Sequence, residues 1–383
     1  MAQRTLLNNG RAHRALQALL GGDFRRSVSR YLVNRRRERF TAHLLSDDPD
    51  NLDDVETFIV DQPTRLNAPL VLISQAQRSG GTLLSQLFDG HPAIAAHPHE
   101  LSIGHSTDEH WPELGPADGA ERNFRKLFDI GIIGLMRRGY TKGDRNPEPH
   151  HFFLVPRIQY RIFLHLFETA PPCNDRGILD HFFTSYFNAW LNYQGNVEDK
   201  RWITGFAPRL AHHEASVAGF FQSYPDGRLI QIIRDPRTWY PSAKQHRKSG
   251  HVGRGAEAIL ATWCLSAESI CRNKGTYGDK VIVLRFEDLV GNTGRTMHVI
   301  AQELGIAYNS ELEEPTFNGE AMRANSSFAV DRPGIIDAPL KRHNMLSAEE
   351  GRLVDQRCMA IYERALAKAV QVSGAVSRNR AGS

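Results

Sequence analysis

Cysteine is scarce, with Cys173, Cys264, Cys271 and Cys358 the only four in 383 residues. None forms a CxxC pair, so neither a zinc site nor a disulfide framework is indicated, and a reducing compartment is expected. Long apolar runs are also missing: no stretch approaches the roughly eighteen residues of a spanning helix. The opening MAQRTLLNNGRAHRALQALL lacks the continuous apolar centre and the cleavage site of a secretory leader. Lysine does not occur before Lys126. That absence matters below, because a glycine loop earlier in the chain has the shape of a phosphate cradle without its lysine.

What is present is unevenly charged. The formal net charge is +4, yet residues 1–40 hold ten arginines against Asp23 and Glu38. Asp47, Asp48, Asp50, Asp53, Asp54, Glu56 and Asp61 follow. A basic helical arm and acidic linker over 1–66 is therefore expected. Its plain reading is a solvated helix pair; weak contact with a membrane surface is the functional one, and no nucleic-acid partner is expected. A cytoplasmic location, peripheral to a membrane if the arm binds one, is the matching expectation.

From residue 67 the pattern becomes regular. LVLIS (70–74), WITGF (202–206), RLIQIIRD (228–235) and KVIVLRFEDL (280–289) are continuous apolar runs, as expected of strands covered on both faces. AIAA (93–96) is a short further strand. Helical periodicity follows several of them, ending for one at Gly305. The fold class implied is α/β: three layers, with a central parallel sheet flanked by helices. A helical insertion on the acceptor side is expected over about 99–200, within a domain of 67–370, and a disordered tail over 371–383.

The stretch LVLISQAQRSGGTLLSQLF (70–88) runs strand, glycine loop, helix. Gly80 and Gly81 permit close backbone approach, and the amides from Ser79 to Leu83 can face one anion at a helix start. Arg78 and the Thr82 hydroxyl add hydrogen bonds to it. A nucleotide-triphosphate loop requires GxxxxGK[ST], and the residue before Thr82 is Gly81. A nucleotide-dependent kinase is thereby disfavoured. In IIRDPRTWYPSA, Arg234 ends a strand and Ser242 stands eight positions on, inside the next helix; the two can converge on a second phosphate.

Together these blocks resemble the sulfotransferase family. QRSGGTLL is similar to that family's 5′-phosphosulfate loop, commonly PRSGTTxL, and IIRDPRTWYPSA to its 3′-phosphate element. VIVLRFEDLVGNTG resembles its late strand and turn, and NSSFAVDRPG (325–334) partly resembles its C-terminal cofactor loop. The resemblance implies a P-loop-like fold and 3′-phosphoadenosine 5′-phosphosulfate (PAPS) as donor, with no metal required. It places Arg78, Ser79, Gly80, Gly81, Thr82 and Leu83 on the 5′-phosphosulfate, and Arg234, Ser242, Arg332 and Gly334 on the 3′-phosphate. It also implies a hydroxyl-bearing acceptor: a glycan, lipid or small molecule. A non-catalytic, membrane-associated adaptor of the same fold is the rival reading.

Four departures from the family pattern bear on this. Gln77 replaces the proline before the loop arginine, Gly81 the first threonine, Phe286 a tyrosine, and Phe206 a lysine at a strand end; Arg209 is a candidate to replace that charge. The histidine base of the small-molecule branch has no counterpart here. Glu100, in DGHPAIAAHPHE, stands where the branch containing the tyrosylprotein enzymes carries a glutamate base, which favours a carbohydrate or other bulky hydroxyl acceptor. His99 and His97 are the alternates. The histidine pairs at 150–151 and 212–213 are read as packing rather than metal ligands.

Overall fold

The computed structural model describes residues 59–103, 110–140, 150–246, 255–326, 328, 330 and 333–372. The basic arm up to residue 58, the tail from 373 and Arg332 lie outside the described residues. In chain order the main elements are β1 (Leu70–Ile73), α1 (Gly81–Leu87), β2 (Ile94–Glu100), α2 (Gly119–Leu127), α3 (Gly131–Arg138), α4 (Pro156–Thr169) and α5 (Asp175–Ala189). Then come β3 (Trp202–Phe206), α6 (Glu214–Ser223), β4 (Arg228–Ile233), α7 (Pro236–Lys244), α8 (Ala256–Tyr277) and β5 (Val281–Arg285). The chain continues through α9 (Phe286–Gly291), α10 (Thr293–Leu304), the hairpin β6 (Thr316–Phe317) and β7 (Glu320–Ala321), and finally α11 (Ala348–Leu366).

Strands β1 to β5 form one parallel sheet in the order β2-β3-β1-β4-β5. Successive side chains of a strand point to opposite faces, and here both faces are dry. Leu70 and Leu72 join one apolar cluster with Leu229, Val281 and Val283. Val71 and Ile73 join the other with Ile230, Ile282 and Leu284. That double burial explains why these strands read as unbroken apolar runs. The connection leaving β1 on one side returns through β3, and β4 continues on the other, so the carboxyl edge near β1 is where a crevice opens.

Two strand ends differ by four residues from the sequence reading. Strand β2 runs past Ala96 to Glu100, shifting register between them and resuming with Glu100 opposite Phe206. Pro98 is tolerated because β2 is an edge strand. Strand β5 stops at Arg285 rather than at residue 289, because Phe286 starts a helix in which Glu287 accepts a hydrogen bond from the Asp235 amide at 3.0 Å.

Between β2 and β3 lie helices α2 to α5, the helical insertion. Its aromatics are mostly packing: Phe152, Phe163, Phe183, Phe187 and Trp190 are buried. No described helix is long and apolar enough to cross a membrane.

Candidate active site

Residues 74–80 turn from β1 into α1 and are braced by three other elements. Ser74 Oγ accepts from the Ala211 amide at 2.9 Å, and the Ala76 amide donates to Ser266 Oγ at 2.9 Å. The Trp239 indole donates to the Gln77 carbonyl at 2.8 Å. The turn needs left-handed backbone at Arg78 (φ 68°) and Gly80 (φ 94°). At Gly80 a side chain would also collide with Phe286, since a Cβ would lie 2.8 Å from its Cδ2.

Beyond the loop opens a cleft, and none of the described residues that line it is acidic. Three arginines line it: Arg78, Arg234 and Arg342. Arg234, 2 % exposed, is a hub. Its guanidinium donates to the Arg78 carbonyl (2.6 Å), the Thr238 carbonyl (2.7 Å) and hydroxyl (3.1 Å), Ser242 Oγ (3.2 Å) and the Pro339 carbonyl (3.2 Å). Arg342 donates to Ser242 Oγ at 2.6 Å and Ser326 Oγ at 3.0 Å, and covers the Phe328 ring. Ser242 thus accepts from two cations while donating to the Thr238 carbonyl at 3.3 Å, which holds the two guanidiniums side by side.

Arg78 donates to the Asn325 carbonyl at 3.1 Å, while its buried Nε has no partner. Burial lowers all three arginines: Arg78 to about 10, Arg234 to about 9 and Arg342 to about 10. Arg342 adds to the effect on Arg234, and Arg78 to that on Arg342, because the like charges repel. A site that crowds cations in this way gains most from a multiply charged anion.

Gly81 and Phe206, two separate oddities in the sequence, are one feature in space. A Cβ on Gly81 would lie 2.7 Å from Phe206 Cζ and closer still to Phe206 Cε2 and Gln75 Nε2. The ring at the tip of β3 occupies the volume that a side chain at position 81 would need. Gly81→Thr should therefore be destabilising alone and partly restored when Phe206 is cut back to alanine, with the buried Gln75 amide still to be displaced. A double-mutant cycle by chemical denaturation should give a favourable coupling of about 1–3 kcal/mol; additive effects would show that the two are independent.

Thr82 and Leu83 line the cleft, and Thr82 Oγ1 accepts from Asn325 Nδ2 at 3.3 Å. Ser79 is buried beneath the loop. Gly334 (φ 95°) donates its amide to the Met322 carbonyl at 2.9 Å, just before Ile335 and Ile336, which do line the cleft. Arg332 lies outside the described residues. Arg209 is not among the lining residues; its amide donates to the Gln75 carbonyl at 3.1 Å, and its charge falls on His212 and His213.

Glu100 is the exposed last residue of β2, next to the β3 tip that carries Phe206. His99 is buried, with Nε2 3.0 Å from the Tyr186 hydroxyl and Nδ1 2.9 Å from the Glu100 carbonyl. An Nδ1–H donated to that carbonyl leaves Nε2 to accept from Tyr186. His97 is buried too, and burial holds its imidazole well below the usual range, so it stays neutral.

The histidine pairs face different neighbours. His150 meets Glu320 at 2.6 Å while His151 stacks on Phe153. His213 faces His110, and His212 is pushed down to about 3, by burial first and then by Arg209. Among the described residues no cluster of His, Cys, Asp or Glu is arranged to hold a metal. A neutral buried His212 costs stability once the unfolded chain protonates it below pH 6.5, because the unfolded state then binds the extra proton. His212→Asn should narrow the acid sensitivity: between pH 7 and pH 5 wild type should lose about 2 kcal/mol more than the variant. Parallel loss in urea melts would contradict this.

Sequence reading missed Arg342, Asn325 and the indoles of Trp239 and Trp263, the second of which donates to the Arg234 carbonyl at 3.1 Å. Arg342 lies 100 residues from Ser242 and belongs to no motif, so only the fold reveals it.

A sulfotransferase-family model matches residues 69–310 of the chain. Among solved structures, a sulfotransferase domain from the Synechococcus PCC 7002 olefin synthase aligns with a TM-score of 0.50 at 18% identity, covering 81% of this chain and 98% of that one. A sulfotransferase domain from the curacin biosynthetic pathway aligns at 0.47 and 15%, covering 76% and 98%. A mouse sulfotransferase complexed with PAP aligns at 0.38 and 14%, covering 83% and 94%. No curated protein sequence matches the chain.

Proposed function

The chain belongs to the sulfotransferase family, and from that premise we propose that its cleft binds PAPS and that the protein transfers the sulfuryl group to an acceptor hydroxyl. The observation that carries this reading is the convergence of Arg78, Arg234 and Arg342 on a cleft in which no described lining residue is acidic. The unpartnered, buried Nε of Arg78 fits an anion of that kind.

On this reading Arg78, Thr82 and the amides of the first turn of α1 hold the 5′-phosphosulfate. These amides have no acceptor within the helix. Arg342 and Arg234, both bonded to Ser242 Oγ, face the 3′-phosphate, with Gly334 and Arg332 as further candidates on the segment that follows β7. Val290, Ile335 and Ile336 offer an apolar wall to the base. The donor, when bound, brings a sulfuryl group already attached to a phosphate leaving group. Arg78 then neutralises the charge that develops on the phosphate oxygen during departure. Phe206 and its neighbours keep water from the reacting end.

Glu100 is proposed as the base that takes the acceptor's proton, supported by its place at the carboxyl end of β2, one strand from the cleft wall. A base on an exposed strand end suits a bulky acceptor, and a carbohydrate is the acceptor class proposed. Radiolabelled donor incubated with a panel of glycans, lipids and phenols tests it: label should pass to glycans, and failure to label any hydroxyl acceptor despite donor binding would sink the enzymatic reading. Glu100→Gln should leave affinity for the product nucleotide within about twofold while kcat falls by 10²–10³. Retained activity would transfer the base role to His99.

A further inference from the structure

Cysteines that look unrelated in sequence meet in the fold. Helices α8 and α11 pack together and bring Cys264 and Cys358, 94 residues apart, to an Sγ–Sγ distance of 3.6 Å. Cys358 is fully buried, while Cys264 is partly buried at the edge of the core. The geometry points to an oxidisable dithiol: Cys264 is a modification site for a small hydroperoxide, and Cys358 resolves it to a disulfide. This inference is independent of the donor reading, because neither sulfur lines the cleft.

The pair is chemically asymmetric in the required sense. The hydrogen bond with Cys358 draws the Cys264 thiol below its ordinary range, against the opposing effect of burial, and nearby Arg357 favours the thiolate while Glu268 disfavours it. The same contact pushes the Cys358 thiol up. Arg357 is itself tied to Glu257 at 2.9 Å, and its carbonyl accepts from Cys264 Sγ at 3.5 Å. Cys264 is therefore the easier of the two to deprotonate, and in doing so it gives up its contact with the Arg357 carbonyl. A disulfide requires the sulfurs to close by about 1.6 Å, through side-chain adjustment at one partly buried and one buried helix position.

The steps balance. With hydrogen peroxide, the Cys264 thiolate attacks one peroxide oxygen; an S–O bond forms, the O–O bond breaks, and hydroxide leaves to become water on protonation. Cys358 Sγ then attacks the sulfenic sulfur; the S–S bond forms, the S–O bond breaks, and the second water leaves with the proton of Cys358. Two thiols are oxidised by two electrons, and one peroxide is reduced to two waters. Helix α11 is already ion-paired to α7 through Arg237–Asp355 at 2.8 Å and Lys244–Glu350 at 2.7 Å. The cross-link would fasten α8 to that assembly, closing a long loop in the unfolded chain.

The test treats the full-length protein with one equivalent of hydrogen peroxide, alkylates it, and maps peptides without reductant. The expected result is a dominant Cys264–Cys358 cross-link, with a melting temperature raised by roughly 5 °C and restored by dithiothreitol. Cys358→Ser should lose the cross-link and leave a dimedone-reactive sulfenic acid at Cys264. Oxidation confined to exposed Cys173, with Cys264 spared, would overturn the proposal. So would a cross-linked protein that melts no higher than the reduced one.

Discussion

Arg78→Ala should lower kcat/KM for sulfuryl transfer by about 10²–10³, with a loss of affinity for the product nucleotide as well. The side chain lines the cleft, its Nε lacks a partner, and its other nitrogens lean on Asn325, a single residue that follows the hairpin. Folding should be nearly unaffected, because the loop is braced through Ser74, Ala76 and Gln77 rather than through this guanidinium. Steady-state kinetics beside a thermal melt separates the two effects. An unchanged kcat/KM would remove the loop from the catalytic account, and a collapsed melt would make it a structural residue. Alanine is a fair replacement despite the positive φ at this position, since the arginine already bears the same backbone strain.

Arg234→Ala should behave differently, costing about 3–5 kcal/mol of folding stability along with donor binding. Its removal takes this donor from the carbonyls of Arg78 and Pro339, leaves the Thr238 carbonyl with the Ser242 hydroxyl, and leaves Ser242 with one cation in place of two. The loop, α7 and the segment at Pro339 would lose their common tie. Urea unfolding monitored through the buried indoles of Trp239 and Trp263 checks this. A variant as stable as wild type that has merely lost nucleotide affinity would show that Arg234 is a ligand contact and no more. The contrast between Arg78 and Arg234 follows from where their donors point: one pair leans on a single neighbour, while the other knits three segments.

Much of this was legible in the sequence for physical reasons. Strands buried on both faces must be apolar throughout, so β1, β3, β4 and the first half of KVIVLRFEDL stood out. Glycines at a tight turn, an arginine at a strand end and a serine eight residues on are local spacings, and the fold brings them to one edge. Other features were not local. Arg342 depends on a contact across 100 residues, and the exclusion between Gly81 and Phe206 depends on β1 pairing with β3. The sequence presented Gly81 and Phe206 as two separate departures, whereas in the fold the Phe206 ring takes space that a side chain at position 81 would need. The thiol pair was hidden for the same reason, since helix-to-helix contacts leave no spacing signature. Glu100 was placed by its distance from a motif, and its strand-end position arose from a register shift that no propensity reveals.

The central claim is that the cleft is built for a nucleotide bearing both a 5′- and a 3′-phosphate. Titration calorimetry of the full-length chain with 3′-phosphoadenosine 5′-phosphate, run against adenosine 5′-monophosphate, measures it directly. The crowded arginines around Ser242 should give micromolar or tighter binding of the bisphosphate, with the monophosphate at least about 100-fold weaker, a difference of about 2.7 kcal/mol. Equal affinities, or no heat with either nucleotide, would contradict the claim.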